Sequence, residues 1–490
     1  MRGQGTADGG TAMAKHHMDD VIVLLPGILG SVLAKDGKEV WAPAAGAAWR
    51  ALWSLGHSVK DLELHADPVD DDDLGDGVEA TQLVPDLHII PGFWSIAGYS
   101  GIRRMILDNF DVVEGKTYVE FPYDWRRDNR VAARKLARTV GRLLHQARKD
   151  NPNAKLVLVG HSMGGLVSRY YLECMDGWKD TRRLITFGTP YRGSVNALDF
   201  IANGFVKKVG PLKVFDLSPM LRSFTSVYQL LPIYPCIDAG GREPVRPGES
   251  TGVPKLDVPR ASRALVDFFR AMEAGVANRP ENAYEIHPIV GITQDTWQSA
   301  VLEGGKLTVR RTRRQPSGED IDESGDGTVP RVSATPIEMG DDPPAVYASQ
   351  KHATLQGVES VQTQLLGILT QISGLSGVRD LRSGLALEVD GSFAVAETVP
   401  VQVVTRQPRL SLAATVTDRG TGRTDGPHAL RGLGQGVYEV ELPGREPGDY
   451  AVTVTGTGTS TNLVQPVSDA FVVLPDDPEY RGEVHAASNG

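Results

Sequence analysis

The sequence predicts an α/β protein: a doubly wound, mostly parallel sheet with two insertions, followed by an all-β, sandwich-like domain. Three observations carry this. Residues 21–25 and 156–159 are short, uninterrupted apolar runs, as strands buried on both faces require. Segments with helical spacing fall between further runs of this kind from residue 99 to 372, the alternation that builds parallel sheets. After Ser376 the helical period stops, and short alternating segments separated by Gly, Asp and Thr turns take over.

Length and composition bound the function. A chain of 490 residues suffices for one large core and a smaller domain. The formal net charge of -10 argues against a nucleic-acid partner, which selects a basic excess. Two cysteines, Cys174 and Cys236, give no disulfide framework, so a reducing, cytoplasmic location is expected, with one bridge between them left open. Residues 1–20 are polar and lack the apolar stretch of a signal peptide. They read as a disordered leader, and His16-His17 as a chance pair rather than a metal site. No apolar run approaches the roughly 18 residues of a membrane span, so membrane contact is expected to be peripheral.

Taken in order, the first strand (21–25) ends in Pro26-Gly27-Ile28-Leu29-Gly30-Ser31. Residues 34–100 break the α/β rhythm with Trp41, Trp49, Trp53, Phe93, Trp94 and an acidic run at 67–73. They read as a cap insertion whose rings either meet a lipid surface or pack the cap's own core. Residues 101–109 form a helix and 117–121 a strand, running into Pro122-Tyr123-Asp124-Trp125-Arg126. Residues 131–149 form a basic amphipathic helix, its cations a solvated face. Residues 184–187 are the next strand. Residues 195–283 form a second irregular block, a lid insertion with a Pro-rich loop and a helix at 262–274. Residues 286–293 return to the sheet. Residues 298–312 form a hairpin about Glu303-Gly304-Gly305; Arg310, Arg311, Arg313 and Arg314, on and after its second arm, could meet lipid phosphates, but the acidic run at 319–326 that follows favours mutual neutralisation.

The centre of the pattern is Gly160-His161-Ser162-Met163-Gly164. A strand precedes it, and Leu166, Val167, Tyr170, Tyr171 and Cys174 follow at helical spacing. A serine on so sharp a strand-to-helix turn projects its hydroxyl above the sheet, and a Cβ at Gly160 or Gly164 would collide with a neighbour. Ser162 is therefore the candidate nucleophile. The amides of Met163 and Ile28, with Leu29 as fallback, are the candidate oxyanion donors. Asp326, in Gly325-Asp326-Gly327 after a strand, is the candidate acid, and His352, after a strand at 346–348, the candidate base. Ser162, Asp326, His352 is a serine-hydrolase chain order. Asp320 and Asp322 compete for the acid role but lack flanking glycines. His161 and His287 compete for the base role, His161 facing away and His287 reading as structural. The acidic run lacks the spacing of a calcium loop, and no metal or organic cofactor is required.

Residues 381–475 carry alternating strands at 385–389, 401–404, 410–416, 437–441 and 450–454. They contain no catalytic constellation and read as a binding, targeting or stabilising module with a partner the sequence does not name. Residues 476–490 read as a frayed tail.

Jointly, these motifs resemble the lecithin:cholesterol acyltransferase family, related to lysosomal phospholipase A and phospholipid:diacylglycerol acyltransferase, over about residues 20–372. Pro26–Ser31 looks like the family's oxyanion loop, Pro122–Arg126 its signature, Gly160–Gly164 its nucleophile turn, and 325–330 its acid segment, with His352 where the base falls. The resemblance implies an α/β hydrolase over residues 21–375 that passes the acyl group of a glycerophospholipid to an alcohol or water. The chain has no cysteine in the cap, where secreted animal members carry a disulfide, and it adds the C-terminal β domain. The expected activity is a serine-dependent lipid acyl hydrolase or O-acyltransferase working at a membrane surface. The rivals are a soluble esterase for small esters, and a lipid- or protein-binding protein on a hydrolase scaffold.

Overall fold

Six short segments rich in apolar residues build the central sheet of the computed structural model, which describes residues 15–41, 60–85, 88–90, 94–96, 98–209, 212–241, 243–314, 318–340, 345–370, 383–407 and 409–474. They are β1 (Val21–Leu25), β2 (Tyr118–Glu120), β3 (Leu156–His161), β4 (Thr181–Phe187), β5 (Glu285–Gly291) and β6 (Val346–Ala348). The order is β6-β5-β4-β3-β1-β2 with every neighbouring pair parallel. Every residue of β1 and β3 is buried, so both faces of the sheet centre are covered, as the uninterrupted apolar runs demand. Helices α1 (Ser100–Asn109), α2 (Asn129–Ala147), α3 (Met163–Cys174), α4 (Val195–Asn203) and α5 (Glu359–Leu369) join the strands or follow them.

The strand order places the chemistry. After β1 the chain moves to β2 on one side, then returns to β3 on the other. The loops after β1 and β3 thus diverge at a topological switch point, where open α/β sheets gather ligands. Register aligns the exits: Leu25 faces Gly160, His161 faces Phe187, and Gly291 faces Ala348. The segments carrying Ile28, Ser162, Asp326 and His352 therefore share one edge.

The insertions are more regular than the sequence indicates. The first contains a three-stranded antiparallel sheet of Ser31–Lys35, Lys38–Trp41 and Val78–Leu83. Trp41 is a core ring, edge-on to Trp125 at 5.3 Å, with its indole N–H donating to the Leu29 carbonyl. Trp49, Trp53, Phe93 and the Trp94 side chain lie outside the described residues. The acidic run is gripped by basic side chains: Arg127 pairs with Asp67 at 2.9 Å, and Arg138 with Asp72 at 2.8 Å. The basic face of α2 is thus partly engaged rather than wholly solvated. The second insertion holds α4, the helices Ser218–Ser223 and Thr225–Tyr228, and an antiparallel hairpin of Val206–Val209 with Leu212–Asp216. A helical stretch from Val258 to Asn278, with a π-helical turn at Ala264–Arg270, follows. Its Gly275 packs so tightly on Glu173 of α3 that an added Cβ would lie 2.3 Å from the Glu173 carbonyl oxygen.

Residues 15–20 belong to the folded body, which corrects the leader boundary. The His16 N–H donates to the Asn109 carbonyl, and His17 pairs with Asp111 at 2.6 Å. Both cysteines are free thiols. Of the four arginines expected to be neutralised by the acidic run, Arg313 pairs with Glu323, and Arg311 pairs instead with Asp295.

Beyond residue 383 two antiparallel layers form a second body. The strands are β7 (Ala386–Glu388), β8 (Ser392–Ala394), β9 (Val399–Val404), β10 (Leu412–Asp418), β11 (Thr424–Ala429), β12 (Arg431–Gly434), β13 (Val437–Leu442), β14 (Gly448–Gly456) and β15 (Val467–Leu474). One sheet runs β7-β9-β13-β12 and the other β8-β15-β14-β10-β11, with β8 and β15 parallel. Val399, Val401 and Val403 point into a core shared with Val452, Val454 and Phe471, the alternation read from the sequence.

Candidate active site

Ser162 sits between the end of β3 and the start of α3 with φ 52° and ψ -122°. A non-glycine residue there costs roughly 1–3 kcal/mol and persists only where its surroundings hold it. Here the Ser162 N–H donates to the Phe187 carbonyl (2.8 Å), and the Ser162 carbonyl accepts from the Thr189 hydroxyl (2.9 Å). Close approach explains the glycines. A Cβ on Gly164 would lie 2.4 Å from the Pro26 carbonyl oxygen, and one on Gly160 2.8 Å from Gly165.

The three side chains singled out from the sequence meet. His352 Nε2 lies 2.9 Å from Ser162 Oγ, and His352 Nδ1 lies 2.7 Å from Asp326 Oδ2. All three residues are buried. Asp326 Oδ1 accepts from the backbone N–H groups of Thr328 (2.9 Å) and Val329 (2.7 Å), so the carboxylate is satisfied without solvent. The His352 N–H donates to the Asp326 carbonyl at 2.7 Å. An acceptor-only carboxylate at Nδ1 fixes the proton there and leaves Nε2 free to accept from the serine hydroxyl. The competing residues lie elsewhere. Asp322 accepts from Gln298 and from the Ser324 N–H. Asp320 lies exposed in a two-stranded ribbon, and His287 pairs with Glu285.

Gly188 was not singled out from the sequence. Its φ is +53°, and a Cβ there would lie 2.7 Å from Asp326 Oδ2 and 2.9 Å from His352 Nδ1. Gly188→Ala should displace the acid–base pair and lower kcat on the order of 100-fold, read from steady-state kinetics on a soluble ester.

His161, whose ring lies 5.1 Å from that of His352, belongs to a relay of its own. The Gly27 N–H donates to the Tyr99 hydroxyl oxygen (2.8 Å), Tyr99 Oη lies 2.9 Å from His161 Nδ1, and His161 Nε2 lies 3.3 Å from the His352 carbonyl oxygen. The ends of this chain are an obligate donor and an obligate acceptor, so Tyr99 donates to Nδ1 and a neutral His161 donates from Nε2. Complete burial, with His352 adding a smaller repulsion, pushes the His161 pKa from 6.5 down to about 3. Below pH 6.5 the unfolded chain protonates this histidine and the folded protein does not. Its contribution is therefore complete above pH 6.5 and is lost progressively as pH falls towards 3. Chemical denaturation should show stability decreasing below pH 6.5 by up to about 1.4 kcal/mol per pH unit from this group, a slope that His161→Gln removes.

The Pro122–Arg126 motif braces the loop after β1. Tyr123 donates its hydroxyl to the Pro26 carbonyl (2.8 Å), and Trp125 donates its indole N–H to the Ser31 carbonyl (3.0 Å), so both ends of Pro26–Ser31 are held. Arg126 is fully buried against Asp124 and Asp76. Ile28 and Ser162 line one narrow apolar cavity of about 20 Å³ with Phe200, Leu221, Leu230 and Thr328. The Met163 N–H, at the first turn of α3, has no intrahelical partner. Leu29, the fallback donor, has φ 63° and gives its carbonyl to Trp41. Thr328 and His352 also line a polar cleft of about 620 Å³ between the two bodies, with Gln294, Lys351, Glu388 and Asp469. Among the described residues no group of acidic, histidine or cysteine side chains is arranged to hold a metal ion.

A parallel sheet with a serine on its strand-to-helix turn, and a histidine and a carboxylate at the same edge, defines the α/β-hydrolase class. Within that class, the lecithin:cholesterol acyltransferase family model matches residues 102–245, the stretch holding both the Pro122–Arg126 motif and the Ser162 turn. No curated protein matches the chain. Among solved structures, the chain is similar to the mature lipase BlEst2 of Bacillus licheniformis at 12% identity and TM-score 0.33, covering 74% of this chain and 96% of that one. It is similar also to phospholipase PlaB of Legionella pneumophila at 8% identity and TM-score 0.28, covering 93% of each chain. These likenesses are distant.

Proposed function

We propose that this protein is a serine-dependent lipid acyl hydrolase or acyltransferase. The observation that carries the reading is the unbroken hydrogen-bonded series from Ser162 Oγ through the His352 ring to Asp326. The family match over residues 102–245 supports a lipid ester as the substrate class. Ser162 attacks the ester carbonyl while His352 Nε2 takes its proton, and the Ile28 and Met163 amides receive the charge that forms on the carbonyl oxygen. His352 then gives that proton to the departing alcohol, leaving an acyl group on Ser162. Water or a second alcohol attacks this ester, its proton passing to His352 and from there back to the serine oxygen, which leaves as the free hydroxyl. The apolar wall beside Ser162, from Phe200, Leu221 and Leu230, is the surface an acyl chain would meet once the second insertion opens, and the polar cleft beyond Thr328 and His352 suits the water or alcohol.

A membrane surface is the natural place for such a substrate. Among the described residues no helix is long and apolar enough to cross a membrane, so peripheral contact is the form this would take. A second reading has one observation in its favour. The cavity at Ser162 is narrow, so a long acyl chain needs the second insertion to move, whereas a short ester needs less room. Mass spectrometry of products from mixed phospholipid vesicles, with and without a long-chain alcohol, separates these. Free fatty acid with lysophospholipid is the expected hydrolytic outcome, and acyl-alcohol formed at the expense of fatty acid marks transfer. No lipid product from protein that still cleaves a short soluble ester would leave the small-ester reading in its place.

A further inference from the structure

The candidate nucleophile is held by the middle of the sheet, but the candidate base is not. His352 follows β6, a three-residue strand at the sheet edge. So short a strand, paired on one side only, gives the loop after it little support of its own. The His352 backbone itself is held by Asp326 and His161, and the residues on either side of it are held by the C-terminal body. The Ser349 N–H donates to Gln465 Oε1 at 2.9 Å, and Gln350 Nε2 donates to the Pro466 carbonyl at 2.5 Å. Lys351 forms an ion pair with Asp469, and the Thr354 hydroxyl lies 3.2 Å from the Ser468 carbonyl oxygen. These contacts fall on four residues around His352, and their partners all lie at or just before the start of β15.

A second grip falls on the acid. The side-chain amide of Gln294, itself buried, donates to the Leu385 carbonyl (2.9 Å) and accepts from the Leu387 N–H (3.1 Å). It thus pairs with the backbone entering β7 much as another strand would. The Gln294 backbone in turn exchanges both hydrogen bonds with Gly325, the residue before Asp326. The C-terminal body therefore holds the acid-bearing and the base-bearing loops at once, while Ser162 is anchored by β4 and Thr189.

From this geometry we infer that the C-terminal β domain positions the acid–base pair of the active site, with Gln465, Asp469, Lys351 and Gln294 as positioning residues that touch no reacting atom. The inference rests on the catalytic reading of Ser162, His352 and Asp326. Catalytic geometry tolerates little displacement, so releasing the base loop lowers turnover even where the fold survives. A positioning role acts on kcat. A purely structural role lowers the melting temperature and the folded fraction, but not the turnover of molecules that remain folded.

The test uses the full-length chain and a soluble p-nitrophenyl ester, with rates referred to folded protein by circular dichroism. Gln465→Ala combined with Asp469→Ala should lower kcat on the order of 10- to 100-fold and shift KM by no more than about twofold. Asp469→Glu should keep most of the activity. Exchanging the charges, Lys351→Asp with Asp469→Lys, should recover much of what Lys351→Asp alone loses. Should the double alanine variant fail to fold, Lys351→Met, a change at a partly exposed side chain, asks the same question. A folded variant of either kind with wild-type kcat overturns the inference and leaves the catalytic reading standing. Ester cleavage by Ser162→Ala within tenfold of the wild-type kcat overturns the catalytic reading, and this inference with it.

Discussion

Ser162→Ala is expected to lower kcat for ester cleavage by a factor on the order of 10⁴ to 10⁶ while the protein stays folded. The loss is large because His352 can move a proton only from an oxygen placed 2.9 Å from its Nε2, and alanine leaves none there. Residual rate comes from the oxyanion donors and substrate binding, which act on attack by water. Folding should survive because the serine is held through its backbone, by Phe187 and Thr189, and those bonds do not involve Oγ. Kinetics and a thermal melt on the same preparation check both statements.

The second large effect belongs to Asp326→Asn, for which a fall in kcat of about 10⁴-fold is expected. The volume hardly changes, so the effect is one of hydrogen-bond polarity. Oδ2 faces His352 Nδ1, and Oδ1 faces the Thr328 and Val329 N–H groups. An amide NH₂ turned towards His352 donates to Nδ1, moves the imidazole proton to Nε2, and leaves nothing to accept the serine proton. Turned the other way, it meets two N–H donors in a buried site, which costs about 1–3 kcal/mol per unsatisfied group. Steady-state kinetics should show the loss in kcat. A variant within tenfold of wild type would remove Asp326 from the acid role.

What the sequence makes legible is what local pattern controls. Val21–Leu25 and Leu156–His161 advertise themselves because a doubly covered strand must be apolar throughout. Ser162 and His352 are readable because each closely follows a strand of the sheet, whereas Asp326, far beyond the end of β5 at Gly291, is readable only from its flanking glycines and its place in the chain order. In the C-terminal domain Val399, Val401 and Val403 show the alternation of a half-buried strand. The His161 relay is not legible, because Tyr99 lies 62 residues away and Tyr-His pairs have no spacing signature. The sheet in the first insertion is missed for a related reason: Ser31–Lys35 pairs with Val78–Leu83 across more than forty residues, and those strands alternate only weakly. The grip of residues 465–469 on the base loop is equally silent, since Gln465 and Asp469 look like any polar residues at the start of a strand. Such pairings are fixed by tertiary geometry, and no local period encodes them.

The measurement that bears most directly on the central claim is labelling with a long-chain alkyl fluorophosphonate, read by peptide mass spectrometry. One adduct per chain is expected, on the peptide containing Ser162. Its formation should slow in the presence of phospholipid vesicles, and it should be absent from Ser162→Ala. No adduct on a folded wild-type chain, or an adduct that persists in Ser162→Ala, would contradict the assignment of Ser162 as the nucleophile of a lipid-acyl enzyme.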